Sequence, residues 1–424
     1  MIFHRPLSVC MFLLLGCFFP TNGNAQVFRN YATPAPPPEP GVPQQPAKGE
    51  KIYTIDTTFQ TWQEAEVKWL DADSSILWEK QFSNYSQGRM AKNSQYIGLA
   101  GVETIYTDGY ASESRLHLDI LDLNGTPSGQ FVITNTKGIT FESVAADETF
   151  FYLAYEKYTG SSDRNMFIAQ VDAQGNLQWE TKIGQRYGTS GTRLLQVSPA
   201  GEIVLFAKMY TEVGFDVLTK EGAIKDRKML YFINEFSPVA FTFRKNGHLL
   251  AIGSQRKYVK SETYSSGVVI ELDDQYQILQ YCQIESPYND VALDITEDEQ
   301  GHIYFLTNAE DLKSPYGQRA NFSIIGQLDA NFELLQTSSF QNTSTGLSLQ
   351  LAWSPTHGLW SYQRYYNKGQ TFALFHFKED LSIESIWSRH GAFSDPHQLL
   401  IADDTFYLGG GSRDSWVVRI PGFY

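Results

Sequence analysis

The residues able to do chemistry are spread thinly along this 424-residue chain, and none stands at the spacing of a reactive centre. Its eight histidines, His4, His117, His248, His302, His357, His376, His390 and His397, form neither HExxH nor a Cys/His metal pattern. His248 and His302 follow Gly247 and Gly301 at equivalent points of neighbouring repeats, and the matching points elsewhere hold Glu202 and Thr149. Metal ligands must converge, so these two read as a water-facing rim position. The acidic turns at 71–73 and 297–299 lack the DxDxDG loop and closing Glu of a calcium site. There is no GxSxG, P-loop or dinucleotide fingerprint, and neither a metal nor a cofactor is expected. A carboxylate pair for glycoside hydrolysis would come from distant parts of the chain and leave no local motif.

What stands out is a set of segments with a different composition. Residues 107–115, 155–165, 208–214, 254–267, 308–321, 363–371 and 411–415 together hold 12 Lys+Arg against 9 Asp+Glu, in a chain of formal net charge −14. They also hold nine of its 24 tyrosines. Tyrosine offers flat area and a hydroxyl, and arginine a planar fork of donors, which together suit a recognition surface. The candidate binding residues are Tyr158, Arg164, Arg186, Tyr187, Arg256, Lys257, Tyr258, Tyr264, Tyr316, Arg319, Arg364, Tyr365, Tyr366, Arg389 and His390. The stretch Ser254–Gly267, SQRKYVKSETYSSG, is the most marked and reads as a long loop.

These segments must be positioned by a repeated scaffold. The run FIAQVDAQGNLQWETKIG, Phe167–Gly184, is a strand, a polar turn and a second strand, and variants of it recur. With Asp172 as the register mark, equivalents fall at Asp71, Asp122, Thr219, Asp273, Asp329, Lys378 and Pro421, at intervals of 43 to 56 residues. Asp can bond its own backbone two residues on, and Gly125, Gly175 and Gly222 three residues later can take φ > 0. Copies with Ser74, Tyr276 or Phe332 there are expected to close differently. Between these c–d hairpins lies a second strand–turn–strand motif, clearest at 143–155, 195–208, 240–253, 293–308, 351–363 and 399–411.

The two motifs make four-stranded units, a–b then c–d, with small and β-branched residues suited to burial on both faces. The fold expected is all-β, a seven-bladed β-propeller of four-stranded antiparallel blades. The strand count leaves the last blade without its d strand, so Ile76–Phe82 should close the ring beside Val417–Ile420 and remove an exposed edge. An eighth blade would need a and b strands from Ile52–Glu66, the alternative. The a–b pattern and the DxxGxxxW turn of Asp172, Gly175 and Trp179 resemble the degenerate repeats of exported bacterial seven-bladed β-propellers, including quinoprotein-like repeats. Trp78, Trp179, Trp353, Trp360, Trp387 and Trp416 read as falling at different positions of the unit, so the quinone that some members of that group carry is not expected here.

The N-terminus carries Arg5, an apolar run from Leu7 to Phe19 and a small-x-small site ending at Ala25, the pattern of an export signal over residues 1–25. Leu14–Cys17 resembles a lipobox, the alternative being a lipoprotein anchored through Cys17. Residues 26–50 are Pro-rich and read as an extended linker, and 51–424 as the propeller. Cys282 is then alone in the mature chain and sits in an apolar run, so it reads as a small buried hydrophobe. The acidic balance disfavours nucleic acid, and no further segment suits a membrane span. The function expected is an exported non-enzymatic binding or scaffold propeller, probing a glycan, peptide or envelope protein through the Tyr/Arg face as a monomer, at a periplasmic or extracellular location. The alternative is a polysaccharide hydrolase or lyase at the channel mouth.

Overall fold

The computed structural model describes residues 50–54, 68–71, 77–82, 85–107, 110–160, 164–184, 193–209, 212–230, 236–259, 262–286, 289–310, 321–341, 348–364, 370–390, 396–402, 405–410 and 415–421. The readings of 1–25 and 26–50 fall outside these, Glu50 excepted. The described residues form seven four-stranded antiparallel blades, each ordered a–b–c–d, in a ring. Their inner a strands are Tyr85–Lys92, Ile139–Ala146, Arg193–Val197, Phe236–Phe243, Asn289–Glu297, Ser348–Ser354 and Pro396–Ala402, in blades 1 to 7. Each a strand touches the next, and the seventh touches the first.

Closure comes about as the strand count requires. Trp78–Phe82 is the d strand of blade 7, antiparallel to Ser415–Pro421, with Trp78 opposite Arg419 and Phe82 opposite Ser415. One expectation is corrected: Lys68–Asp71 forms no hairpin with this strand. It pairs in parallel with Ile383–His390 as a fifth strand of blade 6, and Glu50–Thr54 pairs in parallel with Ile278–Glu285 as a fifth strand of blade 4. An outermost strand has an unpaired backbone edge, and these two segments cover two such edges.

The core lies between the blades. Among the described residues seven apolar clusters fill the seven interfaces, from Leu99 and Val417 between blades 7 and 1 to Leu374 and Leu408 between blades 6 and 7. Each blade is thus buried on both faces, which is why its middle strands read as continuous apolar runs. Cys282 belongs to the cluster between blades 4 and 5, fully buried, and burial pushes its thiol up to about 12.

The c–d turns explain the repeat. The Asp172 N–H donates to the Asn176 carbonyl at 3.1 Å, the Gly175 N–H returns to the Asp172 carbonyl at 3.0 Å, and Asp172 Oδ1 accepts from the N–H groups of Gln174 and Asn176. Turns at Asp273 and Asp329 repeat every one of these bonds, contrary to the expectation that they close differently. Tyr276 (φ 59°), Phe332 (φ 64°) and Leu381 (φ 60°) take the left-handed conformation that glycine takes elsewhere. Such a backbone costs roughly 1–2 kcal/mol for an L-residue. All three side chains are buried in the inter-blade clusters, which offsets that cost.

Candidate functional site

In this topology the b–c hairpins and the d–a connections share one face, and the a strands run from that face into the channel. The b and c strands of blade 4, Leu249–Val259 and Glu262–Leu272, stay paired to the tip, ending at Val259 opposite Glu262. The expected long loop at 254–267 is therefore a continuation of the two strands, paired from Ser254 opposite Gly267 out to Val259 opposite Glu262, as its β-branched and aromatic residues favour. Register sets Lys257 opposite Tyr264 and Tyr258 opposite Thr263. Arg256 is exposed and Tyr264 half-buried. Blade 1 extends likewise, with Thr107 opposite Tyr110.

On blade 2 the guanidinium of Arg164 lies over the Tyr158 ring, 4.5 Å from its centre. Behind it runs a line of charges. Arg164 Nη1 is 3.7 Å from Glu156 Oε2, Glu156 Oε1 accepts from Arg193 Nη2 at 2.8 Å, and Arg193 Nη1 donates to Glu142 Oε1 at 2.6 Å. Arg193 and Glu156 are almost fully buried between blades 2 and 3. Burial raises the Glu142 carboxyl, opposed by Arg193. A buried pair of this kind fixes geometry more than it adds stability, and here it links the loop face to the channel wall.

Of the other expected residues, Arg186, Tyr187, Tyr316, Arg319, Tyr365 and Tyr366 lie outside the described residues, while Lys257, Tyr258, Arg364, Arg389 and His390 are placed by backbone alone. His248 and His302 stay apart, each half-exposed and bonded by Nδ1 at 2.9 Å to a carboxylate of its own blade, Glu271 and Asp298 respectively.

The channel holds what the sequence concealed. A chamber of about 610 Å³ is lined by the a strands of all seven blades, including Arg89, Glu142, Leu194, Ala240, Asp294, Gln350 and Gln398. In six of the seven a strands the register breaks just before or at the lining residue, as between Phe141 and Ser143, Ala292 and Asp294, Ser348 and Gln350, and Pro396 and Gln398. A bulge of this kind re-aims a side chain and leaves backbone unpaired.

Four of the residues after a bulge bond across the blade boundary. Ser143 Oγ accepts from Leu195 N–H at 3.2 Å, Asp294 Oδ2 from Leu351 N–H at 2.8 Å, Gln350 Oε1 from Leu399 N–H at 2.6 Å, and Gln398 Oε1 from Met90 N–H. Each acceptor caps an N–H on the next blade's inner edge, where an unpaired donor would be costly. Asp294 also accepts from its neighbour Ile295 at Oδ1, at 2.9 Å. Part of its surface opens to the channel, but protein surrounds it on every side, and burial pushes its carboxyl up to about 7 against those two bonds. Asp290, nearer the loop face, is raised to about 6 by burial, with Ser286 opposing.

No protein-family model matches this chain, and no curated protein does. Solved structures match its fold. A protein from Lactobacillus plantarum is similar over 72% of this chain and 84% of its own, at 13% identity and TM-score 0.50. Extracellular domains 1–2 of Drosophila Semaphorin 1b match over 82% of this chain and 86% of theirs, at 9% identity and TM-score 0.50. BamB from Moraxella catarrhalis matches over 82% and 99%, at 10% identity and TM-score 0.41. At these identities the two matches at TM-score 0.50 show a likeness of fold alone.

Proposed function

We propose that this chain is an exported, non-enzymatic binding or scaffold propeller that holds a glycan, a peptide or an envelope protein on its b–c face. The observation that carries this reading is the Arg164–Tyr158 stack, a planar cation set on an aromatic ring and held from behind by Glu156 and Arg193. Such a pair is ordered before any partner arrives, which lowers the entropy lost on binding. The paired strands of blade 4 reach the same end of the ring, with Arg256 exposed and Tyr264 half-buried there and Lys257 and Tyr258 at neighbouring register positions. Export through the signal at 1–25, as a soluble monomer or as a lipoprotein anchored at Cys17, belongs to this reading. The test is a pull-down of glycans and envelope proteins with wild type beside Tyr158→Ala/Arg164→Ala and Arg256→Ala/Lys257→Ala/Tyr258→Ala. Equal capture by all three proteins sinks the proposed face.

A second reading, hydrolysis or elimination on a polysaccharide, is favoured by two carboxyls whose pKa burial raises, Glu142 and Asp294, in one chamber. Against it, Glu142 is bonded to Arg193 and both oxygens of Asp294 accept backbone N–H groups. Release of reducing ends or unsaturated sugars by wild type, lost in both Glu142→Gln and Asp294→Asn, would replace the binding reading with this one.

A further inference from the structure

Around the channel two of the positions after a bulge hold residues that cannot do what their equivalents do: Ala240 of blade 4, which has no polar side-chain atom, and the arginine of blade 1. In blades 2, 5, 6 and 7 that position holds Ser143, Asp294, Gln350 and Gln398, each accepting an N–H of the following blade. In blade 1 it holds Arg89, whose guanidinium has donors only. Arg89 lines the chamber, surrounded by protein yet open to the channel space, and no hydrogen bond or ion pair engages it among the described residues. Burial lowers its affinity for its proton, and the nearest opposing charge, Glu142, is already bonded to Arg193. This guanidinium is exposed to the channel, makes none of the bonds between blades that its equivalents make, and is open to an anion.

Its neighbours on the ring point to the kind of anion. Blades 6, 7 and 1 are consecutive, so Gln350, Gln398 and Arg89 form one arc. The Oε1 atoms of both glutamines are taken by backbone N–H groups, which leaves their NH2 ends as donors. The opposite wall, on blades 3 to 5, carries Leu194, Val239, Phe241 and Leu293 beside Gln196 and Asp294. One cation and neutral amides balance one negative charge. The carboxylates Glu142 and Asp294 on either flank disfavour a second.

We propose that the chamber binds a small organic monocarboxylate, its carboxylate on Arg89 and the amides of Gln350 and Gln398, its apolar body against Leu194, Val239, Phe241 and Leu293. The volume of about 610 Å³ lies within the range of small-molecule sites. This site is separate from the b–c face, and loss of one leaves the other standing.

The experiment is titration calorimetry on the full chain with phenylacetate, octanoate, phenylacetamide and phenyl phosphate as probes, for wild type, Arg89→Gln and Val239→Trp. Circular dichroism checks that each variant is folded. The expected result is binding of at least one carboxylate, weakened at least tenfold by Arg89→Gln and abolished by Val239→Trp, which fills the apolar side. Phenylacetamide should bind at least tenfold more weakly than phenylacetate. The proposal is overturned if neither carboxylate binds up to millimolar concentration, if Arg89→Gln binds as wild type does, or if the amide or the phosphate binds as tightly as the carboxylate. Should Arg89→Gln not fold, Val239→Trp and the amide–carboxylate comparison on wild type decide the matter.

Discussion

The indole Nε1–H of Trp179 donates to the carbonyl of Lys220 at 3.0 Å, and its ring lies against the face of Gly222, so the d strand of blade 2 is docked on the c–d turn of blade 3. Trp78 does the same two blades back round the ring, bonding the Leu123 carbonyl at 3.0 Å over Gly125. At the equivalent position Gln280 and Gln336 reach the carbonyls of Ala330 and Glu379. Where the incoming residue is tryptophan the turn carries glycine, and where it is glutamine the turn carries Phe332 or Leu381, which fill the interface from the other side.

The docking is testable against an internal control. Gly222 (φ 84°) and Gly201 (φ 80°) have nearly the same backbone, but a Cβ at Gly222 would meet Trp179 Cδ2 at 2.6 Å and one at Gly201 meets nothing within 4 Å. Gly201→Ala should cost about 1–2 kcal/mol of strain alone. Gly222→Ala should cost about 1–3 kcal/mol more, and that excess should shrink in a Trp179→Ala background. Urea unfolding of the four proteins in the cycle measures it.

How much of this was legible follows from range. The Asp-x-x-Gly turn was readable because its bonds are local, within five residues of Asp172. The left-handed Tyr276 was not, since its strain is offset by packing on Phe215, 5.0 Å between ring centres, from another blade. The equivalence of Trp78 and Trp179 was hidden by Gln280 and Gln336, a different residue type making the same bond. The chamber was least visible: bulges break the period-two pattern at Arg89, Asp294, Gln350 and Gln398, which lie far apart in sequence and meet only when the ring closes.

Tyr276 itself yields a sharper test of that compensation. Tyr276→Gly relieves a strain of about 1–2 kcal/mol but removes a buried ring that stacks on Phe215 and lies under Lys228 Nζ, 5.4 Å from its centre. Truncating a buried aromatic costs about 3–5 kcal/mol. The substitution should therefore lower stability by roughly 2 kcal/mol, whereas a turn governed by φ alone would be stabilised.

Cys282 should be silent in the native protein. Its thiol is raised to about 12, so at pH 8 the thiolate fraction is on the order of one in ten thousand, and the sulfur is fully buried. Labelling by a soluble disulfide reagent should proceed at the rate of global unfolding and rise with urea in step with the unfolding signal. Rapid stoichiometric labelling in buffer would place the thiol elsewhere.

Asp290 and Asp294 tie stability to pH. Both carboxyls are raised in the fold, to about 6 and about 7, from an ordinary value of 3.8, so the folded protein holds protons that the unfolded chain releases. Their stabilising contribution is fully present below the unfolded value and is lost as pH rises through 6 and then 7. Each contributes a slope of at most about 1.4 kcal/mol per pH unit between its two values. Arg89 and Glu142 share the chamber with Asp294, and Glu142 is itself raised by burial, so its titration adds to the same fall. The midpoint of thermal unfolding should fall as pH rises from about 4 to about 7 and level off above that, and Asp294→Asn should flatten the fall. Asn supplies one acceptor where Asp294 supplies two, so the variant is less stable throughout and only the slope is diagnostic.

Ring closure rests on one strand pair. The strand Trp78–Phe82 covers Ser415–Pro421, in which Val417 and Val418 are fully buried, and the Leu77 N–H extends the pairing to the Arg419 carbonyl at 2.9 Å. Arg419 Nη1 in turn reaches the Leu123 carbonyl at 2.6 Å, the same atom that Trp78 engages, so blades 7 and 1 are joined through both strands. A chain beginning at residue 77 loses the fifth strands at 50–54 and 68–71, including the Lys51–Glu333 pair at 2.5 Å, but keeps all seven blades complete. It should unfold cooperatively at a somewhat lower temperature. A chain beginning at 85 leaves an apolar strand edge open, and an edge of that kind recruits other chains. It should aggregate or unfold with lost cooperativity, and a peptide of residues 77–84 added in trans should restore the transition. Identical melting of the two truncations would mean that blade 7 stands on three strands and the ring is closed by something else.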